Sequence, residues 1–348
     1  MQALVYHEPA NLVLEEVPEP HPLQGEVVLR VDAASICGTD LRIAAGAHRA
    51  YAGGFGDGRI PGHEIAGTVA EVGKGVAVTE GNRVFVAPNF GCGRCRPCLR
   101  EMVNLCENPR AIGITDNGAF AEYLLLPAEL VTQGNLLPTS VDADPGAIAL
   151  AEPLACALRG SRACGIRAGD IVLVYGAGPI GLFHVALARL AGAAAVLICD
   201  PNTQRRERAL AWGATRGYDP SVDDLRSGLK EWDAASGADV VITAASAPGI
   251  QQQALELAGP GGRVNFFAGL PRGRSVVELD TNLIHYKELL VTGTTASTNE
   301  ACRAALDLIL AGRIDTGSLI DARLDLASAQ DAFELAGSGQ VMKVVMQP

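Results

Sequence analysis

Residues 171–181 read IVLVYGAGPIG. IVLVY is an apolar, β-branched run with strand character, and Gly176-Ala-Gly178-Pro-Ile-Gly181 then matches G-x-G-x-x-G where an apolar helix, PIGLFHVALARLAG (179–192), opens. In a chain with 40 glycines the pattern alone is weak. Between a strand and a helix it gains meaning. The glycines permit a tight turn and close approach of backbone to a pyrophosphate, and the helix N-terminus adds N–H groups and partial positive charge. The next strand, AAVLICD, ends at Asp200. A carboxylate there accepts from both ribose hydroxyls and repels a 2′-phosphate, which favours NAD over NADP. Arg205 is expected to stack on adenine, and either Arg205 or Arg206 is placed to reach a 2′-phosphate if one were present.

On the C-terminal side of this turn, strand and helix alternate. QRRERALAWG (204–213) and GIQQQALELAG (249–259) read as helices, and ADVVITAAS (238–246), GRVNFFAGL (262–270) and ELLVTGTTA (288–296) as strands. Repeated βα units predict a doubly wound parallel sheet. The first part of the chain differs. ALVYH, LVLEEV, EVVLRVDAAS, IAGTVAEVG and RVFVAP are short strands cut by Gly and Pro, and AFAEYLLLPAEL (119–130) reads as another. Residues 144–165 switch to helical spacing, with Asp142 or Asp144 as cap; 298–312 form an amphipathic helix and QVMKVVMQP a last strand. The fold class expected is α/β, a β-rich unit plus a doubly wound parallel sheet.

The chain has 348 residues, 48% of them hydrophobic and 19% charged, too apolar for a disordered chain. Its formal charge is −11, which speaks against nucleic acid as a partner. The start, MQALVYHEPANLVLEEVPEP, lacks the basic end and apolar core of a signal peptide. The longest membrane-like window, 179–199, is explained by a helix and a strand buried in the α/β layers. A cytoplasmic protein with no membrane partner is expected.

Nine cysteines, an odd number, argue against a disulfide framework. Four are bunched as Cys92-Gly-Arg-Cys95-Arg-Pro-Cys98 followed by Cys106. Thiolates so close can surround one tetrahedral zinc with no water left. A 4Fe–4S cluster is the competing reading, and coincidence the third. Arg94, Arg96 and Arg100 can offset the net negative charge of zinc with four thiolates. Cys37-Gly-Thr39-Asp40 and Gly62-His63-Glu64 stand apart from that loop. A thiolate, a neutral imidazole and a carboxylate would make a three-ligand zinc with an open position. Taken singly, Cys37 reads as a small buried hydrophobe and His63 as structural.

The combination resembles the zinc-dependent medium-chain dehydrogenase/reductase family. CGTD at 37–40, GHE at 62–64, the four-cysteine loop 92–106, AEP at 151–153, GAGPIG at 176–181 and Asp200 carry the likeness, in the family's order over essentially the whole chain. Glu152 sits where the polyol and threonine dehydrogenase branches carry Glu and classical alcohol dehydrogenases carry Cys, so the chain looks closest to the polyol branch. The resemblance implies a GroES-like catalytic domain over 1–150 that includes the zinc loop, a Rossmann domain over 151–290, and a return to the catalytic domain over 291–348. It implies two zinc ions per chain. Cys37, His63 and Glu64 or Glu152 would hold the catalytic one, and Cys92, Cys95, Cys98 and Cys106 the structural one. NAD contacts would come from Gly176, Gly178, Ile180, Gly181, Asp200 and Arg205, and from backbone at Ala268, Gly269, Leu270, Gly293, Thr294 and Thr295. Thr39 matches the hydroxyl that takes the substrate proton. The family's relay histidine is replaced by Leu41-Arg42, which leaves His48 and Asp40 as candidates for the outer proton path. A homotetramer or homodimer is expected.

These readings imply a zinc-dependent oxidoreductase passing hydride between a secondary alcohol and NAD. The polar, Gly-rich segment 46–59, expected in the cleft wall, suits a polyol, cyclitol or aminocyclitol better than a long aliphatic alcohol. His285 or Tyr286 is a further candidate near the substrate, or else a core or interface residue. An L-threonine 3-dehydrogenase-type enzyme is the alternative, and a catalytically silent zinc- and nucleotide-binding protein the reading from another class.

Overall fold

Val172–Tyr175 are buried, and that strand sits inside a parallel sheet covered on both faces. The computed structural model describes residues 1–51, 53, 56–271 and 273–348. It divides into Met1–Ala155 with Ala296–Pro348, and Cys156–Thr295.

In the second unit six strands among the described residues are ordered Arg216–Tyr218, Ala195–Cys199, Ile171–Tyr175, Ala238–Thr243, Ala258–Phe266, Leu290–Gly293, every pair parallel. Chain order reverses at Ile171–Tyr175, so a switch point lies at its carboxyl end, where such sheets bind ligands. Leu173, Leu197, Val241, Leu255 and Val264 form its core. The helix Pro179–Leu190 follows that strand with Pro in its first turn, where the missing N–H costs nothing.

In the first unit the sheet among the described residues has seven strands. The order is Ile320–Leu324, Lys343–Met346, Val27–Ser35, Glu64–Val72, Arg83–Val86, Leu136–Pro138, with Tyr123–Leu126 also on Val27–Ser35. Register places Ser35 opposite both Glu64 and Val345. Ile36 N–H extends the ladder to Val344 O at 2.9 Å. One end of the sheet therefore gathers the close of one strand, just before Cys37, and the starts of two others, at Glu64 and Lys343. Leu29, Ile65, Val84, Phe120 and Met346 fill the core.

One sequence expectation is corrected and one is refined. The strand read over 119–130 is confined to Tyr123–Leu126, because Pro127 ends it and caps the helix Ala128–Thr132. The stretch of helical spacing read over 144–165 forms two helices, Pro145–Ala149 and Ala151–Cys164. In one continuous helix the Pro153 ring would meet the carbonyl of residue 149; the break puts Pro153 in a first turn. Asp144 does cap, accepting Gly146 N–H at 3.1 Å. No helix among the described residues is long and apolar enough to cross a membrane.

Candidate functional site

Cys37, His63 and Glu64 each offer a ligand atom, and these atoms lie within 4.8 Å of one another. Cys37 stands at the N-cap of the helix Gly38–Ala44, its N–H given to Asp40 Oδ2 at 2.8 Å. The other oxygen of Asp40 faces His63 Nδ1 at 3.4 Å, both side chains buried. Burial alone would lower the His63 pKa, but the Asp40 carboxylate and the Cys37 thiolate outweigh it and raise it. Glu64 Oε2 accepts from Lys343 Nζ at 2.5 Å. Among the described residues, Glu64 Oε1 is buried and has no hydrogen-bond partner. A thiolate, an imidazole steered by a carboxylate, and a carboxylate oxygen without a donor suit zinc.

Glu152 stands apart from this cluster. Buried in the first turn of Ala151–Cys164, it accepts Ser297 Oγ–H through Oε1 at 3.0 Å, and Ser297 Oγ accepts from Asn89 Nδ2 at 2.8 Å. Thr39 Oγ1 accepts from Arg42 at 3.0 Å. His48 Nδ1 accepts the Ala50 amide at 3.3 Å, which leaves the hydrogen on Nε2, so in this tautomer Nε2 donates a hydrogen bond and offers no lone pair to an incoming proton. Burial first, then Arg42 and His63, lower its pKa. Within 46–59, residues 52, 54 and 55 lie outside the described residues. Tyr286 is exposed, beside His285 on the short helix Thr281–Tyr286 of the second unit.

The four-cysteine loop is a second donor cluster, Cys92, Cys95, Cys98 and Cys106, all free thiols. Cys95 Sγ lies 3.4 Å from Cys98 Sγ and 3.7 Å from Cys106 Sγ. Four sulfurs about 2.3 Å from one tetrahedral ion stand roughly 3.8 Å apart, so the loop fits zinc. Amides approach the sulfurs from outside: Cys92 N–H and Asn108 N–H reach Cys106 Sγ at 3.2 and 3.3 Å. The amides of Arg94 and Cys95 bring the Cys92 thiol down to about 6.

At the switch point the three glycines act differently. Gly176 has φ +96°, and a Cβ there would lie 3.0 Å from Ala244 O. A Cβ on Gly181 would lie 1.8 Å from Gly176 O, whereas Gly178 has open space before it. The first makes the turn, the third lets helix and strand pack, and the second leaves room for a ligand. Asp200 Oδ2 accepts Ala177 N–H and Oδ1 accepts Asn202 N–H, both at 2.8 Å. Arg206 is committed elsewhere, donating to Asp200 O at 2.6 Å and Asp219 Oδ2 at 3.2 Å. It is not the free cation the sequence offered for a 2′-phosphate. Ala268 N–H reaches Thr243 O at 2.8 Å, just beyond the strand Ala258–Phe266, and Gly293 ends its neighbour. Both lie at the carboxyl end of the sheet, with Gly269, Leu270, Thr294 and Thr295 following them.

Asp40's orienting contact, Lys343 and Ser297 were not singled out by sequence reasoning. Lys343 had a signal: a single charge in the apolar run VMKVVM, which demands a buried partner.

Residues 23–138 match the alcohol dehydrogenase GroES-like domain family, and residues 179–311 the zinc-binding dehydrogenase family. The chain is 35% identical over 339 residues to an L-threonine 3-dehydrogenase of Pyrococcus abyssi, covering 97% of this chain and 94% of that one. A zinc-binding dehydrogenase of Sinorhizobium meliloti 1021 bound to NADP superposes with a TM-score of 0.90 at 34% identity, over 100% of this chain and 99% of that chain. An alcohol dehydrogenase of Escherichia coli CFT073 complexed with NADH gives 0.90 at 29%, with the same coverage. Motif order, fold and relatives agree along the whole length, and the chain belongs to the zinc-dependent medium-chain dehydrogenase family.

Proposed function

We propose that this chain interconverts a small, polar secondary alcohol and its ketone, the alcohol being a polyol, cyclitol or aminocyclitol, with NAD as hydride acceptor. The observation that carries the reading is the convergence of Cys37, His63 and Glu64 within 4.8 Å. Zinc held there supplies Lewis acidity toward a substrate hydroxyl. Asp40 faces Nδ1 of the His63 ring, so Nε2 would be the atom that holds the metal. Thr39 Oγ1 has one lone pair engaged by Arg42, and its other takes the substrate proton. Arg42 stays protonated and cannot relay that proton, so the threonine's own proton leaves to water or to another hydroxyl that passes its own proton on. Glu152, held by Ser297, serves as the second carboxylate of the site without ligating permanently. Asp200 supports NAD: each oxygen takes one amide, and the lone pairs left over suit ribose hydroxyls.

L-Threonine is the second reading, favoured by the 35% identity to an L-threonine 3-dehydrogenase. A panel of polyols, cyclitols, aminocyclitols and L-threonine, each with NAD and NADP, tests both. The first reading expects the highest kcat/KM with NAD and a hydroxylated ring or chain. A highest value with L-threonine moves the assignment to the second. No turnover of any secondary alcohol by protein holding two zinc ions per chain overturns both.

A further inference from the structure

Lys343 opens the strand KVVM, and its ammonium is buried against Glu64, the two side chains 5% and 0% exposed. Nζ donates to Glu64 Oε2 at 2.5 Å and to Ile36 O at 3.0 Å. A buried ammonium costs free energy unless paired and hydrogen-bonded, and here both partners belong to the metal-binding end of the sheet. Ile36 immediately precedes Cys37, and Glu64 follows His63. The grip takes one oxygen of Glu64 and leaves the other, Oε1, buried, without a donor and inside the ligand cluster.

We propose that Lys343 is a positioning residue of the Cys37–His63–Glu64 site, clamping Glu64 by Oε2 so that only Oε1 can reach the metal. This rests on the reading of that cluster as the zinc site. The charges show why a clamp matters. Zinc with one thiolate, one neutral imidazole and one carboxylate sums to zero, and the buried Asp40 carboxylate beside His63 takes the set to −1; the Lys343 ammonium returns it to zero, which favours ionisation of a substrate hydroxyl relative to the set without it. Without it, the nearest cation for the buried carboxylate is the metal. Both oxygens then turn inward and fill the position the substrate needs.

The test compares wild type, Lys343→Met, Glu64→Gln and the double variant, with Co²⁺ replacing zinc at this site. The readouts are visible absorption, metal release to a colorimetric chelator, and kcat against KM. Lys343→Met is expected to release the metal at least about tenfold more slowly, within the range of effects from groups that orient ligands. Its Co²⁺ absorption weakens, as it does above four-coordination, and kcat falls. Release at the wild-type rate or faster, with a wild-type spectrum, overturns the proposal. Should Lys343→Met alone fail to fold, Glu64→Gln and the double variant decide, since no carboxylate remains to clamp. Equal release within about twofold is expected, and a difference of about tenfold or more overturns the clamp. Wild type that holds no metal lost on Cys37→Ser overturns the zinc reading as well; metal-loaded wild type with an unaltered Lys343→Met variant overturns the clamp alone.

Discussion

Asp200 does two jobs with one carboxylate. In the function proposed above it would accept from the ribose hydroxyls, and it anchors the glycine turn through the Ala177 amide. Removing it leaves that amide without its acceptor and the glycine turn without its anchor. Asp200→Ala is therefore expected to lose roughly 10–100-fold in kcat/KM with NAD, the scale of one to three kcal/mol for a charged hydrogen-bonding group. A large gain with NADP is not expected, because Arg206 stays bound to Asp219 and the residue 200 carbonyl, which leaves only Arg205 to meet a 2′-phosphate beside a turn that has lost its anchor. A gain above about tenfold with NADP over wild type would contradict this. Asp40 works through another residue. Asp40→Asn replaces the carboxylate that faces His63 Nδ1, so zinc affinity at that site should fall by about 10–100-fold while the four-cysteine site keeps its ion. Metal analysis after dialysis against a chelator measures this; retention of both ions at wild-type affinity would remove Asp40 from the site.

Elements decide which residues meet. The four-cysteine loop needs no strand pairing to be recognised, since its short spacings bring the sulfurs together locally, and it was legible from the sequence. So were the glycine turn and its flanking strand and helix. The sheet end that gathers Cys37, Glu64 and Lys343 was not: Lys343 lies 279 residues from Glu64, and they meet because Val27–Ser35 pairs with both Lys343–Met346 and Glu64–Val72. Periodicity reports that a strand exists and is silent on its neighbours. The same limit hid Ser297, 145 residues from Glu152. The loop's closed donor set carries its own prediction. Cys95→Ser should lower the Tm and leave one zinc per chain, with residual activity in whatever stays folded, because no open coordination position is lost. A well-folded Cys95→Ser protein without zinc at Cys37 would contradict the division between the two sites.

For the whole molecule, pH acts through groups whose proton affinity differs between folded and unfolded chain. His184 is fully buried on the helix Pro179–Leu190, with Nδ1 3.0 Å from Ser161 Oγ and its ring edge-on to Phe267. Burial pushes it down to about 3. In the unfolded chain it titrates near 6.5. Between those values the unfolded chain binds a proton that the folded one refuses, so stability falls as pH falls below about 6.5, by up to tenfold in the folding equilibrium per unit. Groups of other kinds act elsewhere or oppositely. Asp219, Asp224 and Asp325 are lowered by hydrogen bonds from Ser221, Ser227 and Ser328, and their contribution is lost only as pH drops through their depressed values. His7 is raised by its hydrogen bond to Glu15, so it adds stability below the unfolded value and loses it as pH rises. Comparing variants cancels these shared terms. His184→Gln keeps a polar group beside Ser161 and removes the titration. Its Tm should drop less than that of wild type between about pH 7.5 and about pH 5. Hydrogen exchange in Pro179–Leu190 should show the same difference, because that helix carries the ring. Equal falls in Tm for the two proteins would mean that His184 takes up its proton without unfolding, through a rearrangement that lets water reach Nε2.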